Sequence, residues 1–220
     1  DRFLEEIERD GTLWQMQRRW IDNPEQATMP DIPVPPAPRE RLNAASVIGD
    51  LPFVTLRDGE YIGLDIELLK RFAAQEGFDL HFKDLDFGSL IPALVSGKVD
   101  IISYGIYITD ERRKSIDFSR PYLKTQAAAI VRREKLATPV LTSAQTQAPV
   151  VRQPRQTSAA AAPRVGAGGW QSMADLAHGR IAVFTGTAQD MFATRAFPRA
   201  EILRFNSQAD FVLALKTGKV

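Results

Sequence analysis

The side chains best suited to chemistry in this chain are cations and hydroxyls set close together. Residues 109–114 read Thr-Asp-Glu-Arg-Arg-Lys. A guanidinium such as that of Arg112 presents a planar fork of donors that fits a carboxylate bidentately. The competing reading is a solvated basic cluster of Arg112, Arg113 and Lys114. A second candidate is the turn Thr185-Gly186-Thr187, which runs into a helical pattern from Ala188. Free N–H groups at a helix N-terminus favour an anion. A phosphate cradle is the rival reading there, but the turn lacks the Gly-x-x-x-x-Gly-Lys-Ser/Thr spacing. Tyr104 and Gly105 follow a short apolar run and fall at the carboxyl end of an expected parallel strand, where open α/β sheets bind ligands through backbone groups.

Other chemistries find less support. The chain has no cysteine, so disulfides, Cys-ligated zinc and thiol catalysis are excluded. Its two histidines, His81 and His178, are far apart, so no metal site is expected. No nucleophile–base pair and no Gly-x-Ser-x-Gly is present, and no cofactor is called for. A formal net charge of +1 over 220 residues argues against a nucleic-acid partner. No run of 18 apolar residues marks a membrane span.

These residues need elements to position them. Phe3, Leu4 and Ile7 recur at helical spacing; Asp10-Gly11 breaks the run, and Thr12 is the expected cap of a second helix through Trp20. Prolines 24, 30, 33, 35, 36 and 38 then predict an extended, solvated linker over 23–40. From Arg41 the pattern alternates: a strand over 43–48, a hairpin turn at Asp58-Gly59, a helix over 65–75 ended by Gly77, a strand over 79–85, a helix over 89–95 ended by Gly97, and a strand over 99–103. Thr109 caps another helix with Asp110 and Glu111 in its first turn. That grammar predicts a parallel sheet covered by helices.

Residues 134–171 are rich in Ala, Gln, Thr, Pro and Gly with few large apolar side chains, which predicts an insert unable to offset its ordering entropy. A helix, a strand over 180–184, a helix over 188–197, a strand over 201–205 and a helix over 207–217 complete the pattern. Ala93-Leu94-Val95-Ser96-Gly97-Lys98-Val99 echoes Ala214-Leu215-Lys216-Thr217-Gly218-Lys219-Val220. The first copy runs into a strand, so the second predicts a further strand after Val220 and a lobe incomplete over 172–220.

The run Gly59-Glu60-Tyr61-Ile62-Gly63-Leu64-Asp65-Ile66-Glu67-Leu68-Leu69 opens a block that resembles the polar-amino-acid-binding proteins of ABC importers, solute-binding family 3. Asp86-Phe87-Gly88-Ser89-Leu90-Ile91-Pro92-Ala93-Leu94, Gly97-Lys98-Val99-Asp100 and Ile108-Thr109-Asp110-Glu111-Arg112-Arg113-Lys114-Ser115-Ile116-Asp117-Phe118-Ser119-Arg120-Pro121-Tyr122 continue it in order. The resemblance covers 41–133 well and 172–220 more weakly. It implies an α/β, two-lobed, type II periplasmic-binding-protein-like fold with the second lobe truncated. Residues 1–22 resemble the closing helices of the same family, which implies a tandem: the tail of a preceding domain, the linker 23–40, lobe 1 over 41–133, the insert 134–171 and partial lobe 2 over 172–220. The front of the chain is expected to continue upstream.

The resemblance also implies roles. Arg112 pairs the carboxylate of an amino-acid ligand, and Phe87 packs against the ligand side chain. Tyr104, Gly105, Thr185 and Thr187 contribute backbone and turn contacts. Two departures stand out. Tyr107 replaces a small hydroxyl residue that usually bonds the carboxylate, and Asp50 stands near the place of a stacking aromatic, where an acid suits a cationic ligand. The acceptor for the ligand ammonium is expected after Val220. The implied function is extracytoplasmic capture by hinge closure between two lobes, for a membrane permease. A receptor-kinase sensor, an enzyme on the same fold such as a dehydratase, and a domain that binds nothing are the alternatives.

Overall fold

The computed structural model describes residues 1–49, 51–125, 128–132 and 172–220. The expected insert at 134–171 and Asp50 thus lie outside the described residues. The chain divides into two compact units, Asp1–Gln126 with Thr185–Ala188, and Ala127–Phe184 with Gln189–Val220.

The first unit contains α1 (Arg2–Arg9), α2 (Thr12–Gln17) running into a π-helical turn (Arg18–Asp22), β1 (Glu40–Ser46), β2 (Thr55–Arg57), β3 (Glu60–Ile62), α3 (Leu64–Glu76), β4 (Phe78–Asp84), α4 (Phe87–Val95), β5 (Ile101–Ile102) and α5 (Asp110–Arg113). β1 is central in a parallel sheet of order β4-β1-β5, and its Ala44 and Ala45 are fully buried. β2 and β3 form the expected hairpin; Asp58 and Gly59 both have positive φ, as its tight turn requires.

Gly63 sets the entry of α3. A Cβ there would stand 2.0 Å from the Phe53 carbonyl oxygen, and φ is +131°. Only glycine lets Leu64 and Asp65 donate their N–H groups to Pro52 and Phe53 at 2.8 and 3.2 Å. In the helix that follows, burial is not confined to one face at the start: Leu64, Asp65, Ile66, Glu67, Leu68 and Leu69 are all buried. Its first two turns are packed on every side, so both acids must find partners inside the protein.

Part of that packing comes from the amino-terminal helices. Phe3, Leu4, Ile7, Leu13, Met16, Trp20 and Ala27 share one hydrophobic cluster with Ile62, Leu64 and Leu68. Glu67, fully buried, accepts from Arg19 Nη1 at 2.8 Å, Trp20 Nε1 at 2.6 Å, and Arg71 Nε and Nη2 at 2.9 and 2.8 Å. The helices expected to close a preceding domain are here built into the core of the first unit. Residues 23–39 carry no helix or strand, as the prolines predict, yet they are not wholly solvated. Ala27 is buried, its carbonyl accepts from Arg57 at 2.8 Å, and Met29 packs on the cluster. The start of α2 is capped by the Asp10 carboxylate, which accepts the Thr12 N–H at 2.8 Å and is held below the usual carboxylate range by that bond. The Thr12 hydroxyl is not the cap.

The second unit holds a 3-10 turn (Met173–His178), β6 (Arg180–Phe184), α6 (Ala188–Ala196, apart from its first residue), β7 (Glu201–Phe205) and α7 (Gln208–Lys216). β6 and β7 pair in parallel from Arg180↔Glu201 to Phe184↔Phe205. Leu176, Val183, Ala193 and Phe197 form its core. The sequence echo is also structural. Lys98 N–H bonds the Ala93 carbonyl at 3.0 Å where Lys219 N–H bonds that of Ala214 at 2.9 Å, each around a left-handed glycine.

Candidate ligand-binding site

The predicted residues of the first unit converge at the carboxyl end of the parallel sheet. Phe87 is the first residue of α4, Tyr104 to Tyr107 follow β5, and Arg112 lies on α5. The Thr109 hydroxyl caps α5 by accepting the Arg112 N–H at 3.2 Å. This cap turns the helix so that Arg112 is only 7% exposed while its neighbours Arg113 and Lys114 stay in solvent. The solvated-cluster reading therefore fits two of the three cations and fails for Arg112.

The Arg112 guanidinium donates from Nη1 to the Tyr107 carbonyl at 2.9 Å and from Nη2 to the Gly186 carbonyl at 3.1 Å. Its carbon stands 5.5 Å from the centroid of the Phe87 ring. Phe87 in turn meets Tyr104 edge-on, with centroids 6.1 Å apart. Both acceptors are neutral carbonyls, and no carboxylate among the described residues pairs with Arg112. Burial alone pulls its pKa below the ordinary guanidinium value. Two of five N–H donors are used. No fully buried side-chain nitrogen or oxygen among the described residues lacks a partner, so the unpaired Nε is reachable from solvent. A buried cation without a counter-charge, with donors to spare beside an aromatic wall, is suited to an anion.

The other predicted residues fall as follows. Thr185 is exposed and Thr187 half-buried, in the segment Thr185–Ala188 that groups with the first unit; the contact made to Arg112 is by the carbonyl of Gly186 between them. Tyr107 meets the guanidinium through its carbonyl. The residue is 37% exposed, and its hydroxyl hydrogen-bonds that of Thr125 at 2.6 Å. Gly105 has φ +46°, and a Cβ there would press on the Phe53 ring at 3.4 Å.

Sequence reasoning missed what lies beneath this loop. Asp65, fully buried in the first turn of α3, accepts the Gly105 N–H at 2.6 Å through Oδ2 and the Tyr122 hydroxyl at 2.7 Å through Oδ1. Burial raises its pKa to about 6, against the lowering effect of those two bonds. Burial, then the Asp65 charge, pushes the Tyr122 phenol well above its ordinary value. The run Gly63-Leu64-Asp65-Ile66-Glu67 held a usable signal, two acids spaced through an apolar run, but first-turn acids read as favourable to the helix dipole and solvated.

Fold and site together define an α/β binding protein of the two-lobed, type II periplasmic-binding-protein-like class. The family model for bacterial extracellular solute-binding proteins, family 3, matches residues 42–212, and the chain belongs to that family. It is 41% identical over 71 residues to a probable histidine-binding protein of Campylobacter jejuni, which is 32% of this chain and 28% of that protein. It is 24% identical over 170 residues to the ABC transporter arginine-binding protein 1 of Escherichia coli, 77% of this chain and 56% of that one. The chain thus spans little more than half the length of that relative. Among solved structures it resembles the L-arginine-bound substrate-binding protein of an amino acid ABC transporter from Streptococcus pneumoniae, with a TM-score of 0.64, 26% identity and coverage of 82% and 65% of the two chains. An ancestral amino acid-binding protein described as a precursor of cyclohexadienyl dehydratase gives the same TM-score and identity, with coverage of 82% and 68%.

Proposed function

We propose that this chain carries an amino-acid-binding domain that captures its ligand outside the cytoplasm for an ABC transporter permease. The observation that carries the reading is Arg112, a buried guanidinium held by two carbonyls with no carboxylate partner among the described residues. In this proposal it receives the ligand α-carboxylate, Phe87 and Tyr104 form the apolar wall, and the backbone at Gly105 and the turn of Thr185 and Thr187 complete the first-unit contacts. Tyr107 shapes the pocket rim by its ring and holds Arg112 by its carbonyl. Ligand affinity that differs between open and closed arrangements would drive the closure that a permease reads.

Relatives named for histidine and arginine, and neighbours solved with arginine, make cationic amino acids the first candidates. An acid at Asp50 suits the same class. Binding is favoured over dehydratase chemistry because Asp65 and Glu67, the fully buried carboxylates among the described residues of the first unit, are each held by at least two donors. A thermal-shift screen against the common amino acids tests the reading. A ligand at about 100 times its Kd stabilises a fold by roughly 2.7 kcal/mol. The expected result is a clear shift with L-arginine, L-lysine or L-histidine that Arg112→Ala abolishes while leaving the protein folded. A folded protein that responds to no amino acid would sink the proposal.

A further inference from the structure

The proposed site uses Gly105 and Tyr107 through their backbone, and a backbone contact is only as good as the segment that presents it. Residues 104–107 carry no regular structure, and β5 before them is two residues long. Gly105 sits at φ +46°, outside the range that ladder pairing would hold. What fixes it is a side chain: the Asp65 carboxylate on the Gly105 N–H at 2.6 Å, with Tyr122 on the other oxygen and the Ser103 hydroxyl donating to the Asp65 carbonyl at 3.3 Å. Asp65 is itself set by the Gly63 turn and by the bond from its own N–H to Phe53. We infer that Asp65 is a positioning residue for the ligand site, fixing residues 104–107 through the Gly105 N–H and thereby the Tyr107 carbonyl that holds the Arg112 guanidinium.

This inference rests on the Arg112 site proposed above. Tyr122 is the titratable side chain in contact with the Asp65 carboxylate. The other charged groups nearby in the chain are engaged elsewhere: Glu67 on α3 with Arg19 and Arg71, Arg120 with Glu5 and Glu8, and Arg112 on α5 with the Tyr107 and Gly186 carbonyls. While ionised, Asp65 accepts two charge-assisted bonds. A proton on either oxygen turns one acceptor into a donor and weakens the bond to the other. Burial places that change near pH 6.

The test uses the whole 220-residue chain and two readouts. Without ligand, the Gly105 amide resonance is followed from about pH 4.5 to 8 alongside its hydrogen exchange, pH values chosen to bracket the Asp65 transition. A midpoint near pH 6 is expected in the parent protein, absent in Asp65→Asn, with exchange at Gly105 at least about tenfold faster in the variant. Tyr122→Phe removes one donor to the carboxylate and should move the midpoint upward, which keeps the test usable if Asp65→Asn does not fold. With L-arginine as probe, affinity should fall about tenfold between pH 7.5 and 5 in the parent and be pH-independent and already weakened in Asp65→Asn, the scale of one charge-assisted bond against a neutral one. A Gly105 signal that does not titrate, or an Asp65→Asn protein with unchanged exchange and an unchanged pH profile, overturns the inference. Failure of L-arginine and every other amino acid to bind the parent would instead overturn the Arg112 reading, leaving the Gly105 measurement to decide Asp65.

Discussion

The two units end a helix in the same way and are packed in different ways. Around Gly97 and around Gly218 the chain makes the same left-handed turn and closes it with the same lysine N–H to alanine carbonyl bond. Yet the first unit buries Trp20, Met16, Leu64, Ile66, Leu90, Asp65 and Glu67 almost completely, whereas no described residue of the second is among the fully buried large side chains. In the second unit Phe192 and Leu213 are more than half exposed, and the ion pair of Asp190 with Arg204 has an arginine 44% exposed. Shared local sequence reproduces local geometry. It does not reproduce the packing, because packing depends on what the surrounding chain supplies, and here the first unit has the amino-terminal helices as well as its own.

The difference can be broken most sharply at the ion pairs. Glu67→Ala leaves Arg19, Arg71 and the Trp20 N–H without their common acceptor, and removing one member of a buried charge cluster costs roughly 3–5 kcal/mol. Asp190→Ala in the second unit should cost less, roughly 1.5–3 kcal/mol, because although Asp190 is itself buried, the Arg204 it holds is 44% exposed and turns to water when its acceptor is lost. Denaturant unfolding of both variants measures the contrast, and equal losses would refute it.

A smaller effect is specific to the first unit and depends on pH. The folded pKa of Asp65, about 6, lies above its ordinary 3.8, so the folded state holds a proton that the unfolded state has released. Its contribution to stability is therefore fully present below 3.8 and is lost as pH rises through about 6, after which it is constant. At about 1.4 kcal/mol per pKa unit, the loss is roughly 3 kcal/mol. The difference in unfolding free energy between the parent and Asp65→Asn, measured from pH 4 to 8, should show this fall; a difference flat with pH would contradict it. Smallest of all, Leu213→Ser in the second unit should change stability by less than about 0.5 kcal/mol, because that side chain is 57% exposed.

Much of the fold was legible. β6 and β7 occupy the residues that alternation and turn signals indicate, and α3 is longer by one residue at each end, reaching the glycines that bound it. β5 is shorter than expected, since at Asp100 the side chain joins the ladder: its carboxylate accepts the Asn43 N–H at 2.7 Å while its own N–H bonds the Asn43 carbonyl. The segment after Ser172 is helical as expected but winds as a tighter 3-10 turn. Periodicity in residues 1–22 showed which face is apolar and could not show against what it packs. At the site, the Thr-Asp-Glu-Arg motif placed Arg112, the cap that turns it inward being local. Asp65 was hidden because an acid in a first turn reads alike whether water or protein surrounds it. Only the Gly63 entry and the loop beyond β5, forty residues away along the chain, decide that.

The central claim is that Arg112 receives the α-carboxylate of an amino acid. Calorimetric titration with L-arginine and with agmatine, its analogue lacking that carboxylate, tests it most directly. The parent protein should bind L-arginine more tightly by roughly 2–5 kcal/mol, the range for one partner of a buried charge pair, and Arg112→Ala should bind the two alike. Agmatine binding the parent as well as L-arginine does, or an Arg112→Ala protein that still discriminates between them, would contradict the account.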